Sequence, residues 1–290
     1  MRLEEFVEIA GPLRALGVKV SQDGEQIAEH LWEPVCRRNI YSATKSFTSA
    51  AVGIAIGEGL LSLDERLVDV FPDELPEQVS ENLEKARVRD LLTMGLGQEK
   101  GWLMGVDRPL LRETNWVRLG LSYPFTDAPG SRFVYNNVGP HLAAVLVQRR
   151  AGCDLQHYLL PRMLRHMDIM LPTWEVDPEG YAFGAGGLML SLNELHRFGL
   201  LYLQNGRWNG RQIVPEEWVK ASTSVQIDNG REGYGYLFWG GPAGSFRADG
   251  KYGQMTILMR DKNAVVTVVA ESRQANLLLK AVFDTIYPQL

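Results

Sequence analysis

The spacing of apolar and polar residues predicts a chain that begins with strands, passes through a long helical stretch and returns to strands. From Gly17 to Trp32, "GVKVSQDGEQIAEHLW" holds two short strand-like runs around Asp23-Gly24. That dipeptide supplies the positive φ of a tight turn, so an antiparallel ribbon is expected. Ser42 to Leu60 reads instead as a buried helix, because its Ala, Ile, Val and Gly residues let other backbones approach closely and Gly57 and Gly59 end it. Residues 61 to about 180 carry helical patterns such as "VRDLLTM" and "VGPHLAAVLVQRRAG", broken by loops rich in Gly, Pro and Asp. In "SLNELHRFGLLYLQNG" a serine is followed three residues later by Glu194, the signature of a capping box, and an apolar face ends at Asn-Gly. Four strand-like runs follow, "YGYLFWG", "SFRADG", "QMTILMRD" and "AVVTVVAES", before a last helix from Ala275 to about Tyr287. With no repeat, low-complexity stretch or Pro/Ser-rich linker, the pattern predicts one α+β body, an antiparallel sheet flanked by helices. Residues 1–60 and 181–290 would form it, with an all-helical domain, 61–180, inserted.

Composition narrows the function classes. At 290 residues and 45% apolar, the chain can bury a sizeable core. Its net charge of -5 arises from mixed charges without a basic block, which argues against a nucleic-acid partner. The start, "MRLEEFVEIAGPLRAL", lacks a basic n-region and an apolar h-region, and no later segment runs 18 apolar residues unbroken. A soluble, cytoplasmic protein without a membrane partner is expected. Cys36 and Cys153 show no C-x-x-C pairing and read as buried free thiols. The five histidines show neither H-x-x-x-H nor H-E-x-x-H spacing, so no metal is implied. Neither a G-x-G-x-x-G nor a P-loop pattern occurs, which argues against a nucleotide enzyme, and no G-x-S-x-G elbow supports an α/β-hydrolase.

Three constellations remain as candidate chemistry. Ser42 and Lys45 stand at i and i+3 at the mouth of the apolar helix, so the amine can approach the hydroxyl. A serine needs a neighbour to take its proton, and a lysine can do so when burial or a nearby cation lowers its pKa. The helix N-terminus would add free N–H groups and a positive dipole for a developing oxyanion. The same Ser42 reads equally as an ordinary N-cap. In "RFVYNNVG", Tyr135 precedes Asn137 by two: a phenol depressed by nearby cations can act as a base and an asparagine amide can orient substrate. A core tyrosine beside a turn-forming Asn-Asn pair fits those residues too. Gly250 and Gly253 in "FRADGKYGQMTILMRD" mark either close approach of a ligand or backbone, or a β-bulge.

Together these stretches resemble the serine β-lactamase and penicillin-binding-protein superfamily, specifically the class C β-lactamase-like serine hydrolases. The resemblance runs from Tyr41 to about Ser272 through "YSATKSFTSAAVGIAIGEGLLSLDE", "RVRDLLTM", "FVYNN", "GAGGLMLSLNELHRFGLLYLQNGRWNGRQIVPEEWV" and "ADGKYGQ". It implies an α/β domain beside a helical one with the site between them. It also implies Ser42 as nucleophile, Lys45 as its proton partner, Tyr135 as base and Asn137 as a substrate-side donor. An oxyanion hole from the N–H groups of Ser42 and Lys251 and a cofactor-free reaction on a small ester, amide or peptide complete the implication. Ala248-Asp249-Gly250 stands where many relatives carry Lys-Thr-Gly or His-Thr-Gly, and "LLTMGLGQEKGW" lacks the usual Thr-Ser-Gly. The "ADGKYGQ" form looks most like the branch with 6-aminohexanoate-dimer hydrolase and related esterases. The missing motif lysine favours uncharged esters and amides over β-lactams, with Lys251 as the one plausible substitute, since strand alternation puts Arg247 and Asp249 on the face opposite Ala248 and Gly250. Two other outcomes stay open: β-lactamase or D-amino-acid peptidase activity, and a catalytically silent ligand-binding relative.

Overall fold

A computed structural model describes residues 1–290. Its centre is a six-stranded sheet in which every neighbouring pair is antiparallel. The strands are β1 (Ala15–Gln22), β2 (Glu25–Leu31), β3 (Trp239–Gly240), β4 (Phe246–Gly250), β5 (Gln254–Met259) and β6 (Ala264–Ala270), in spatial order β2-β1-β6-β5-β4-β3. β1 and β2 form the hairpin expected around Asp23-Gly24, where both residues have positive φ. β1 then pairs with β6 from the far end of the chain, Val18 opposite Val268 and Val20 opposite Val266.

Helices cover both faces of the sheet, so β5 and β6 are buried along their whole length and read as near-continuous apolar runs. On one face Val18, Val20, Ile257, Val266 and Val268 pack against Phe6 of α1 (Glu4–Ala10) and Leu278, Val282 and Ile286 of the last helical stretch. On the other face lies a core that includes Leu16, Leu258, Val265 and Val269 and continues through α2 (Thr44–Gly57), α3 (Val138–Ala151) and α4 (Leu192–Leu203). Phe47 of α2 stacks on Phe198 of α4 with ring centroids 3.9 Å apart, and each such fully buried side chain contributes about 1.5–3 kcal/mol. α4 carries the expected capping box: Ser191 accepts from the Glu194 N–H, and Glu194 accepts from the Ser191 N–H. A buried polar chain pins α4 to the sheet, with His196 between Ser21 Oγ at 2.8 Å and Thr267 Oγ1 at 2.9 Å. Short helices and turns fill residues 61–180 around α3, and no helix is long and apolar enough to cross a membrane.

Several local expectations change. "YGYLFWG" is not a strand: only Trp239–Gly240 joins the sheet, because Leu237 takes a φ of 63° and Tyr234 bridges back to Trp239. Tyr234, Tyr236, Leu237 and Phe238 are nonetheless buried, so core burial of a folded-back loop explains the apolar run. Cys36 and Cys153 are free but exposed, the first in the irregular stretch after β2, the second in the turn after the left-handed Gly152 that ends α3. The last helix, α5 (Ala275–Ala281), continues as wider turns through Ile286.

Candidate active site

The segment that delivers Ser42 is a single 3-10 turn, Tyr41–Ala43, and α2 starts only at Thr44. Tyr41 holds a φ of 48°, a region costly for a residue with a side chain, and its N–H donates to Asn39 Oδ1 at 2.7 Å. Ser42 therefore sits in the turn before α2, with its N–H in a first turn that offers no intrahelical acceptor. It does not cap α2, whose N-cap is Ala43 and has no side-chain cap bond. Its hydroxyl faces Lys45 instead.

Lys45, in the first turn of α2, is only 2% exposed. Its Nζ lies 3.0 Å from Ser42 Oγ and donates to the Ala185 carbonyl at 2.8 Å. Burial, reinforced by the Arg108 guanidinium, holds the amine well below its ordinary value of 10.5. The Tyr135 ring centroid is 4.9 Å from the same nitrogen. Tyr135 is partly exposed along the wall of the cleft while its phenol end is enclosed. Desolvation raises the phenol far above its ordinary value of 10, the Ser42 hydroxyl pulls the other way and Asp249 adds to the rise. The expectation of a phenol depressed by nearby cations is thus reversed: burial raises it, and the Lys45 amine beside the ring is itself held toward the neutral form.

Ser42, Tyr135, Gly250 and Lys251 all line one cavity of about 770 Å³. At Gly250 a Cβ would stand 2.1 Å from the Ile40 carbonyl oxygen and 3.2 Å from the Ala43 nitrogen, so the absence of a side chain lets the end of β4 touch the Ser42 turn. Lys251 follows in the turn, where its N–H has no intramolecular acceptor. Three expected residues do not line this cavity: Lys45, which is buried behind Ser42, Gly253 and Asn137. Gly253 closes the turn at φ 93°, and a Cβ there would meet Leu278 and Ala270 in the core under the sheet. Asn137 is buried at the start of α3, and its Nδ2 donates to the Leu103 carbonyl at 3.0 Å, so its donor is committed to the loop next to cavity-lining Met104.

Residues outside the quoted motifs complete the wall. Trp239 stacks on Tyr135 at 5.5 Å, and Arg247, Arg231 and Arg273 add guanidinium groups. Arg247 shares its face of β4 with Asp249, as strand alternation requires, and that face is the cavity, so Lys251 is not the sole cation available there. The Ala185 carbonyl is a backbone group that no side chain announces; the only sequence signal near it is the Gly-rich "GAGG".

Comparison with known proteins agrees with this architecture. The solved structure of a Bacillus anthracis protein assigned as a 6-aminohexanoate-dimer hydrolase superposes with a TM-score of 0.81 at 20% identity, covering 97% of this chain and 80% of that one. An octameric penicillin-binding protein homologue from Pyrococcus abyssi gives a TM-score of 0.78 at 19% identity, covering 100% of this chain and 78% of that one. An uncharacterized protein of Alkalihalophilus pseudofirmus is 26% identical over 210 residues, which is 66% of this chain and 55% of the relative, so the match spans about half of that protein's length. The beta-lactamase family model matches residues 9–281, nearly the whole chain, and the protein therefore belongs to the beta-lactamase family.

Proposed function

We propose that this protein is a serine hydrolase that cleaves a small ester or amide through an acyl-enzyme on Ser42. The observation that carries the reading is the buried Lys45 amine, held toward its neutral form 3.0 Å from Ser42 Oγ. A neutral amine has the lone pair that a base needs, and burial supplies it without a histidine. In this scheme Lys45 takes the Ser42 proton as Oγ attacks the substrate carbonyl. The developing oxyanion is received by the N–H groups of Ser42 and Lys251, which Gly250 allows to stand close together. Tyr135, protonated because burial raises its phenol, gives its proton to the leaving group and is reprotonated by the Lys45 ammonium. Water then attacks the acyl-enzyme with the same groups acting in reverse. The likeness to the Bacillus anthracis protein assigned as a 6-aminohexanoate-dimer hydrolase supports hydrolysis over silent binding, and the loss of the motif lysine at Ala248 disfavours β-lactam turnover.

A fluorophosphonate probe, read by intact mass and peptide mapping, tests the assignment. One adduct on Ser42, absent in Ser42→Ala, is expected. Ser46 and Ser49 are buried, and Ser46 Oγ donates to the Leu237 carbonyl, so labelling of either would overturn the nucleophile.

A further inference from the structure

We infer that the cavity selects substrates bearing a carboxylate remote from the scissile bond, an inference that rests on Ser42 being the nucleophile. Four cationic side chains, Arg231, Arg247, Lys251 and Arg273, line the cavity with a single carboxylate, Asp249. Four minus one leaves an excess of three positive charges, in a chain whose net charge is -5. That is the reverse of what the overall composition would place there. The lone acid is already engaged, since Arg247 Nε donates to Asp249 Oδ2 at 2.7 Å. Arg247 Nη1 donates to the Gly240 carbonyl at 2.7 Å, which fixes the guanidinium in place while Nη2 makes no intramolecular bond. Arg231, Lys251 and Arg273 have no carboxylate within ion-pair distance. Glu271, two residues before Arg273, pairs instead with Arg14 and Arg38.

The placement also sets a length. Gly250 touches the Ser42 turn, and Arg247 stands three residues up β4, roughly 10 Å away at about 3.3 Å per residue. The two cation groups therefore lie at different depths: Lys251 and Arg273 at the nucleophile end of β4, Arg247 and Arg231 toward β3. Guanidinium groups recognise a carboxylate with paired donors, and the aromatic faces of Trp239 and Tyr135 run alongside for the intervening chain. The aligned motif position, Ala248, is buried and takes no part.

The test compares kcat/KM for matched esters in two arms. In one arm mono-p-nitrophenyl esters of dicarboxylic acids from glutarate to suberate are set against p-nitrophenyl esters of the equal-length neutral acids. In the other arm 4-carboxyphenyl butyrate is set against phenyl butyrate. A preference for the carboxylate of at least about tenfold in one arm is expected, the scale of one charge-assisted hydrogen bond. It should shrink as salt is raised. The exposed Arg231→Glu and Arg273→Glu substitutions together should abolish or invert the ratio. Carboxylate and neutral esters turned over equally in both arms, or a ratio unmoved by the charge reversals, would overturn the inference while leaving Ser42 as nucleophile. Failure of the neutral esters to acylate Ser42 at all would remove the hydrolase reading, and this inference with it.

Discussion

Replacing Lys45 by Met asks whether the buried amine is neutral in the folded protein, because the two protonation states predict different stability curves. Met nearly conserves volume and removes the titrating group from a site that is 2% exposed. The folded pKa of Lys45 is depressed by burial and Arg108, while the unfolded chain keeps the ordinary value of 10.5. Between those two values the unfolded state holds one proton that the folded state lacks. Linkage then makes the wild type gain stability with rising pH at about 1.4 kcal/mol per pH unit relative to Lys45→Met, and lose it as pH falls. Below pH 10.5, over the range in which the folded amine has already lost its proton, the wild type should therefore gain on the variant as pH rises. Loss of the bonds to Ala185 and Ser42 offsets the variant's curve by about 1 kcal/mol each without changing its slope. Urea unfolding of both proteins across that window is the assay, with kcat measured on the same samples and expected to fall by at least about 10²-fold in the variant. Parallel stability curves would mean that Lys45 is protonated in the folded state, and the base assignment would fall with them.

Two further outcomes follow from the same geometry. Tyr135→Phe should lower kcat by at least about 10²-fold for an anilide, whose leaving nitrogen needs a proton, and by much less for a p-nitrophenyl ester, whose leaving group does not; equal losses on both would remove the proton-donor role. Gly250→Ala places a Cβ 2.1 Å from the Ile40 carbonyl, a backbone contact that cannot move aside cheaply, so a loss of about 1–3 kcal/mol and slower Ser42 acylation are expected in melting and probe-labelling experiments. A variant that melts and labels like wild type would show that the close approach of β4 is dispensable.

The elements whose stability is local were legible from the residues. Asp23-Gly24 announces the β1–β2 hairpin, and Ser191 with Glu194 announces the start of α4, because each signal is satisfied within a few residues. "YGYLFWG" misleads because period and apolarity report burial, and a loop folded back at Leu237 buries the same side chains as a strand. Cys36 and Cys153 mislead in the opposite sense: cysteine is among the most buried residue types, yet both lie in exposed connections between elements. The pairing of Ser42 with Lys45 was visible because one helical turn fixes it, and Tyr135 came with its motif. The sign of the Tyr135 shift was not, since it depends on how much water the folded wall excludes.

What the local pattern could not contain is the set of contacts that turns a serine near a lysine into a candidate nucleophile. Lys45 is held by a carbonyl 140 residues away, and the Ser42 turn is pressed by a glycine more than 200 residues away. The first is a backbone carbonyl that no side chain betrays, and for the second the glycine marks a close approach without naming what approaches. The Ser42 turn must bend at Tyr41 into left-handed φ, a conformation that a tyrosine adopts only when its surroundings over-determine it. Here the Asn39 side chain takes the Tyr41 N–H, the Tyr252 ring packs edge-on against the Tyr41 ring at 5.2 Å, and Gly250 closes the other side. These three restraints bear on the Ser42 turn from the residues before it, from the end of β4 and from the turn after β4, and they set the angle at which the following hydroxyl meets the Lys45 amine. The strain at Tyr41 is therefore tied to the position of Ser42, which is why a change at Gly250, on the opposite wall, is expected to act on acylation.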